Sequence, residues 1–377
     1  MSKRKNLSRT KDPWLLTPGP LTTSIKTKKA MLRDWGSRDN NFIKINTAVR
    51  KKLTSLVSSS KSYTTIPMQG SGTFGVEAMI TTLTSSKSKL LILINGAYGK
   101  RIAKICKNVG INYAIYETSE NKIHDPNHVD KILSKDKKIS HVVMVHCETT
   151  SGILNPIEAI SKKAKKYKKY FFIDAMSSFG AIPIDARKIN FDALAASANK
   201  CLEGIPGVSF VIIRKTILKK FKNNTHSLSL DLYDQWLGLE KNGQWRFTPP
   251  THVIVALHQA LKEFDINGGV RGRYKRYKKN CKTLINGMGK MGFTKLLPSS
   301  LQAPIIVTFH LPKNKEFHFE KFYNLLAEQG FLIYPGKLTV GETFRIGCIG
   351  NINSVVIRKA LKAIKITLVK MKIISIF

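Results

Sequence analysis

Tyr170-Phe-Phe-Ile-Asp-Ala-Met-Ser-Ser-Phe-Gly180 and, further on, Ala193-Leu-Ala-Ala-Ser-Ala-Asn-Lys200 are short apolar runs that each end in small and polar residues. A run that is apolar at every position reads as a strand covered on both faces, and two of them joined by a longer connection read as neighbours in a parallel sheet. Working outward, the alternation of such runs with helical patterns extends from about residue 62 to 215. Strands are expected at Tyr63–Met68, Leu90–Asn95, Asn112–Tyr116, His141–His146, Tyr170–Ile173, Ala193–Ser197 and Ser209–Ile213. Between two of these, Ile157, Ile160, Ala164 and Tyr167 recur at helical spacing with lysines on the other face, as a crossover helix requires. The fold class predicted is α/β, with a large domain built on a mostly parallel seven-stranded sheet.

After Val253–Phe264, a helix closed by Asp265-Ile-Asn-Gly-Gly269, and a basic helix from Val270 to about Lys290, the pattern changes. A strand Pro304–His310, a helix Phe319–Gln329, strands Phe331–Tyr334 and Thr343–Ile346, and a last helix from about Val355 read as a small C-terminal α+β domain. The expected division is an N-terminal arm over 1–40, a large domain over 41–275 and a small domain over 276–377 that takes in part of the arm. Lys365–Phe377 mixes Lys with Ile and Leu and is expected to be a helix packed on the small domain rather than a membrane anchor.

The chain has 377 residues, 42% of them hydrophobic and 23% charged, enough to bury a sizeable core, so disorder is excluded as the main state. No apolar run approaches the roughly 18 residues that a bilayer crossing needs, and no membrane partner is expected. Lys and Arg number 63 against 24 Asp and Glu, a net charge of +39 that first suggests nucleic acid. The excess is mostly Lys scattered along helices, as in Lys162-Lys-Ala-Lys-Lys-Tyr-Lys-Lys169, with no zinc-finger spacing and no RNP-type aromatic signature. It reads as a solvated lysine-rich surface, with a basic nucleic-acid-binding protein as the remote alternative. Five scattered cysteines, none in a C-x-x-C pair, suggest neither a disulfide framework nor a zinc site, and so a reducing compartment. The basic start Met1–Lys11 runs into Asp12-Pro13-Trp14 without an apolar stretch, so it is not a secretory signal and the cytoplasm is expected.

Three segments carry chemistry. Gln69-Gly-Ser-Gly-Thr73 follows a strand and opens a helix, where glycines and helix N–H groups can cradle a phosphate, although such a turn is as often structural. Asp174 ends a strand at the edge where open α/β sheets bind ligands, or else caps the next turn. Lys200 sits one crossover later in a loop of small residues, Gly and Pro. Together they meet the two demands of pyridoxal phosphate chemistry, a lysine for the Schiff base and an anion to keep the pyridine nitrogen protonated.

In these segments, and in Leu15–Ser24, Ala30–Ser37, Asn95-Gly-Ala-Tyr-Gly99, Met144-Val-His-Cys-Glu-Thr-Thr150, Ser227–Tyr233, Trp245-Arg-Phe-Thr248, Tyr334-Pro-Gly-Lys337 and Phe344-Arg-Ile-Gly347, the chain resembles one family end to end. It is similar to the class V, fold-type-I pyridoxal-phosphate-dependent aminotransferases. Ser227–Tyr233 and Trp245–Thr248 resemble the branch that moves an amino group from 2-aminoethylphosphonate to pyruvate rather than the alanine or serine with glyoxylate or pyruvate branches, the alternative. The resemblance implies pyridoxal 5′-phosphate as cofactor, no metal and a homodimer. It implies that Lys200 carries the cofactor and shuttles the proton, and that Asp174 pairs with the ring nitrogen. Tyr98 would stack on the ring, and Ser71, Gly72 and Thr73 would hold the phosphate together with Thr248 from the other subunit. Ser151 and Ser177 would bind the cofactor, and Arg345 the anionic end of the substrate. Ser151 stands where a third Thr is expected, with its hydroxyl kept. Arg38 and Ile25 stand where many relatives have Trp and Arg, which implies a differently shaped substrate entrance.

Overall fold

The computed structural model describes residues 12–225, 227–336 and 341–373. Seven strands form the main sheet: β1 (Tyr63–Gln69), β2 (Lys89–Ile94), β3 (Asn112–Glu117), β4 (His141–Val145), β5 (Tyr170–Asp174), β6 (Ala193–Ser197) and β7 (Val208–Arg214). Their order across the sheet is β1-β7-β6-β5-β4-β2-β3, and β7 alone runs antiparallel to its neighbours. All seven runs expected from the sequence are therefore strands of one mostly parallel sheet.

Residue alternation explains why the runs are apolar throughout. Leu91, Leu93, Val142, Met144, Phe171 and Ile173 enter one core cluster, while Leu90, Ile92, Ile94, Val143, Val145 and Phe172 enter another on the opposite face. Each face is covered by helices. Helix Ile157–Lys166 buries Ile157, Ile160 and Ala164 on the first, and helices Gly72–Leu83 and Ala97–Asn108 bury Met79, Leu83, Ile102 and Cys106 on the second. Because β1, β2, β4, β5 and β6 point the same way, their carboxyl ends meet at one edge, where this sheet type leaves a crevice.

The C-terminal part is a smaller α+β unit. A three-stranded sheet ordered Ile306–His310, Thr343–Gly347, Tyr334–Pro335 packs with helices Gly269–Lys290, Phe319–Glu328 and Ser354–Lys370 around the rings of Phe293, Phe309, Phe317, Phe322 and Phe344. Ile364, Leu368 and Met371 are buried in this cluster, so the C-terminal lysine-rich segment packs as a helix through Lys370; residues 374–377 lie outside the described residues, as do 1–11 and Lys337. Among the described residues no helix is long and apolar enough to cross a membrane.

One expected strand divides. Phe331–Leu332 pairs in parallel with Trp14–Leu15 of the N-terminal arm, whereas Tyr334–Pro335 pairs with Phe344 and Arg345. The chain changes sheets at buried Ile333, and Pro335, without an N–H, suits only an edge position. The arm is thereby stitched into the C-terminal unit, with Leu16 buried in its core and the Gly347 N–H donating to Leu16 O at 2.8 Å.

Candidate active site

The strand ends at the crevice deliver seven of the expected residues to one cavity of about 330 Å³. Ser71, Gly72 and Thr73 come from the turn after β1, Tyr98 from the helix after β2, Asp174 and Ser177 from the end of β5, and Lys200 from the loop after β6. Local sequence explains each placement. Gly70 has φ +115°, a conformation that favours glycine, and its N–H donates to Gly207 O, closing the turn beneath the helix. At Gly72 a side chain would meet Met176 Sδ at 2.6 Å, so only glycine lets the helix start this close to the Asp174 loop.

Asp174 is buried, and its Oδ1 accepts the Met176 N–H at 3.0 Å. Burial pushes its carboxyl up to about 6, against the opposing pull of that N–H, Lys200 and Arg101. Lys200 is half-buried; desolvation pushes its ammonium down to about 8, and its Nζ donates to Pro18 O at 2.6 Å. The lysine's reach depends on Gly19, with φ +115°, where a Cβ would lie 2.6 Å from Lys200 Cδ. An amine whose proton is loosened by desolvation, in one cavity with a buried carboxylate, can act as nucleophile and proton carrier.

The other expected residues are placed around this centre. Arg345 is fully buried on strand Thr343–Gly347 and does not line the cavity; its Nε donates to Pro335 O at 3.0 Å and its Nη1 to Thr149 O at 2.9 Å, and its charge helps to depress Lys200. Ser151 is buried outside the cavity lining, and its Oγ has no hydrogen-bond partner among the described residues. Thr248 is not brought to this cavity at all; it is exposed, in a separate groove with Phe74, Trp245 and Phe247. Ile25, exposed on the arm, lies in a third groove that shares Pro206 with the cavity. His146 is a strand-end residue as expected: its backbone N–H donates to Asp174 O at 2.8 Å, and burial holds its imidazole down at about 3. Cys201 donates to Ser177 O, and all five cysteines are buried and free.

Three neighbours of the site are not singled out as site residues by the sequence, although Glu148 stands in one of the blocks that carry the resemblance. Buried Glu148, its carboxyl raised by burial, accepts from the Thr150 and Gly99 N–H groups and so braces the Tyr98 turn. Glu203, at φ 60° and buried, accepts from Tyr277 and ion-pairs with Arg273 and Arg276, fastening the Lys200 loop to helix Gly269–Lys290. Arg101 reaches the phosphate cradle and donates to Thr73 Oγ1 at 3.1 Å.

Comparison with known proteins follows from this geometry. The family model described as aminotransferase class-V matches residues 23–352. The chain is a class V aminotransferase. It is 50% identical over 364 residues, 97% of this chain and 98% of the relative, to the 2-aminoethylphosphonate--pyruvate transaminase of Pseudomonas aeruginosa (strain UCBPP-PA14). The relative of the same description in Pseudomonas putida (strain GB-1) is also 50% identical, covering 97% and 99%. The fold matches the crystal structure of ureidoglycine-glyoxylate aminotransferase from Bacillus subtilis, with TM-score 0.88, 21% identity and 98% and 95% of the two chains covered. It also matches pyridoxamine-pyruvate aminotransferase from Mesorhizobium loti, with TM-score 0.86, 23% identity and 96% and 93% covered.

The aminotransferase uses pyridoxal 5′-phosphate, and the residues present fit it. Among the described residues the Ser71 side chain makes no capping bond at its helix N-terminus, and the Asp174 carboxylate is buried without an ion pair. Both are groups that a phosphorylated, cationic pyridine would complete.

A pH dependence follows for the cofactor-free protein. The folded carboxyl of Asp174 holds its proton to about 6 while the unfolded one lets go near 3.8, so the folded state binds more protons in between, and stability falls as pH rises across that window. Asp174→Asn removes this slope. The gain of the variant over wild type should grow by about 1–3 kcal/mol between pH 4 and 6 and stay flat above. Urea melts of both apoproteins from pH 4 to 8 measure it, and a constant difference across the range would refute it.

Proposed function

We propose that this aminotransferase moves the amino group of 2-aminoethylphosphonate to pyruvate, giving phosphonoacetaldehyde and L-alanine in phosphonate metabolism. The observation that carries the chemistry is the buried pair Asp174 and Lys200 in one cavity with the Arg345 charge beside it. The choice of substrates is supported by the near end-to-end identity to transaminases of that description. When bound, pyridoxal phosphate supplies the electron sink that lets the C–H bond beside the amino group ionise. Lys200 Nζ, partly neutral near pH 8, carries the cofactor between turnovers, and takes and returns the proton on the amine-bearing carbon. Asp174 would keep the pyridine nitrogen of the bound cofactor protonated, Tyr98 would cover the ring, and Ser151 and Ser177 would hydrogen-bond the cofactor. Ser71, Gly72 and Thr73 hold the phosphate, and Arg345 meets the acid group of either substrate through two parallel N–H···O bonds.

The test is alanine formation by purified enzyme. With pyruvate as acceptor, 2-aminoethylphosphonate should outperform serine as donor; faster transfer from alanine or serine to glyoxylate would assign the chain to the other branch of the family.

The same reading extends to assembly and location. The chain is divided as an arm over 1–40, a large domain over 41–275 and a small domain over 276–377. It works as a homodimer in the cytoplasm, the latter on the pattern of unpaired cysteines. The dimer is supported by the exposure of Thr248 together with Phe74 and Phe247, each 50% exposed, in a groove that shares Gly70 with the cavity. Covering this groove with a second copy would bring Thr248 to the partner's phosphate cradle. Analytical ultracentrifugation should find a dimer at nanomolar concentration, and a fully active monomer would contradict it.

A further inference from the structure

Arg101 stands one helical turn beyond Tyr98 on helix Ala97–Asn108 and lines the same cavity as Ser71, Gly72 and Thr73. Its guanidinium lies over the Tyr98 ring, 4.8 Å from the centroid, and Nη1 donates to Thr73 Oγ1 at 3.1 Å. Among the described residues the groups it touches are neutral. An arginine carries five N–H donors, so one hydroxyl leaves most of its fork without a partner. Its charge adds a small pull toward acidity at Asp174.

The fork needs an anion, and its position selects which one. Arg345 lies against the carbonyls of Thr149 and Pro335, where its charge reaches Lys200. Arg101 instead lies against Thr73, at the N-terminus of helix Gly72–Leu83, where the Ser71 hydroxyl has no capping role to fill. A tetrahedral dianion placed there would meet the helix N–H groups, two hydroxyls and the guanidinium at once. We infer that Arg101 is the cationic partner of the cofactor's phosphate, holding it dianionic and bridging it to the face of Tyr98. The inference rests on the reading of this cavity as the pyridoxal phosphate site.

The role makes Arg101 an anchor for the phosphate and leaves the proton transfers to Lys200. It predicts a loss confined to phosphorylated ligand. Arg101→Met apoprotein should bind pyridoxal 5′-phosphate roughly 10- to 100-fold more weakly by fluorescence titration, while its affinity for pyridoxal, which lacks the phosphate, stays that of wild type. Inorganic phosphate should compete with the cofactor less well in the variant. The ³¹P signal of bound cofactor should titrate about one pH unit higher than in wild type. Arg101→Lys should recover part of the affinity, because the charge remains and the fork is lost. Arg101 is exposed, so thermal melts of the variants should match wild type and separate these effects from unfolding.

The inference is overturned if Arg101→Met binds both ligands as wild type does with an unchanged ³¹P titration. It is equally overturned if cofactor binding is unchanged and only kcat/KM for 2-aminoethylphosphonate falls, which would give Arg101 to the substrate anion. Failure of the wild-type protein to bind pyridoxal 5′-phosphate would instead refute the reading of the cavity itself.

Discussion

Lys200→Ala is expected to lower steady-state amino transfer by at least about 10⁴-fold without unfolding the protein. Acid–base transfer by a positioned side chain is worth about 10²–10⁴ in rate, and the covalent attachment that orients the cofactor between turnovers adds to it. Lys200 Nζ is the amine of this cavity, shielded from water and tuned near neutrality by burial. Among the described residues its side chain makes one hydrogen bond, to Pro18 O, and its desolvation is costly, so truncation removes a desolvated group and breaks no network of described residues. The melting temperature should therefore hold or rise, and bound cofactor should remain. Single-turnover kinetics and a thermal melt decide together. Turnover within tenfold of wild type would remove Lys200 from its role, and inactivity in a protein that melts early would say nothing of chemistry.

Arg345→Lys should lower kcat/KM for both substrates by roughly 30- to 1000-fold while the cofactor's visible absorbance is kept. Arg345 is held in plane by Nε on Pro335 O and Nη1 on Thr149 O, which fixes the direction of its remaining donors. A lysine offers a point charge at one atom, so it cannot make both carbonyl bonds and still present a fork to a carboxylate or phosphonate. Losing a bidentate, desolvated contact costs on the order of 2–4 kcal/mol, from which the range follows. Stopped-flow measurement of the two half-reactions separately is the check. Slowing of the pyruvate half alone, with 2-aminoethylphosphonate still bleaching the cofactor at the normal rate, would place the phosphonate elsewhere.

The sheet was legible because its strands are covered on both faces. Burial forces Leu90–Ile94 or Phe171–Ile173 to be apolar at every position, and that pattern survives in the sequence. Phe331–Tyr334 reads the same way, yet divides, because its two halves find partners at residues 14–15 and 344–345, and no local pattern records which distant segment will pair. In the site, Ser71, Tyr98, Asp174 and Lys200 stand in blocks where family resemblance and strand-end position agree. Arg101 was hidden as one cation among 63 Lys and Arg, and Glu203 because its buried partners Arg273 and Tyr277 lie in a helix that reads as a solvated basic one.

The arm that touches Lys200 has a consequence for the order in which the protein is made. Trp14–Leu15 is made long before its strand partner Phe331–Leu332 and the Gly347 and Asn351 N–H groups that bind Leu16 O and Thr22 O. The sheet of the larger part, complete by Arg214, can form during synthesis, when the segment that supplies Pro18 O to the lysine still has nothing to dock on. Docking of the arm therefore waits until that distant segment has been made. A nascent chain stalled before residue 331 should expose Lys200 to amine-reactive labels that the released protein excludes.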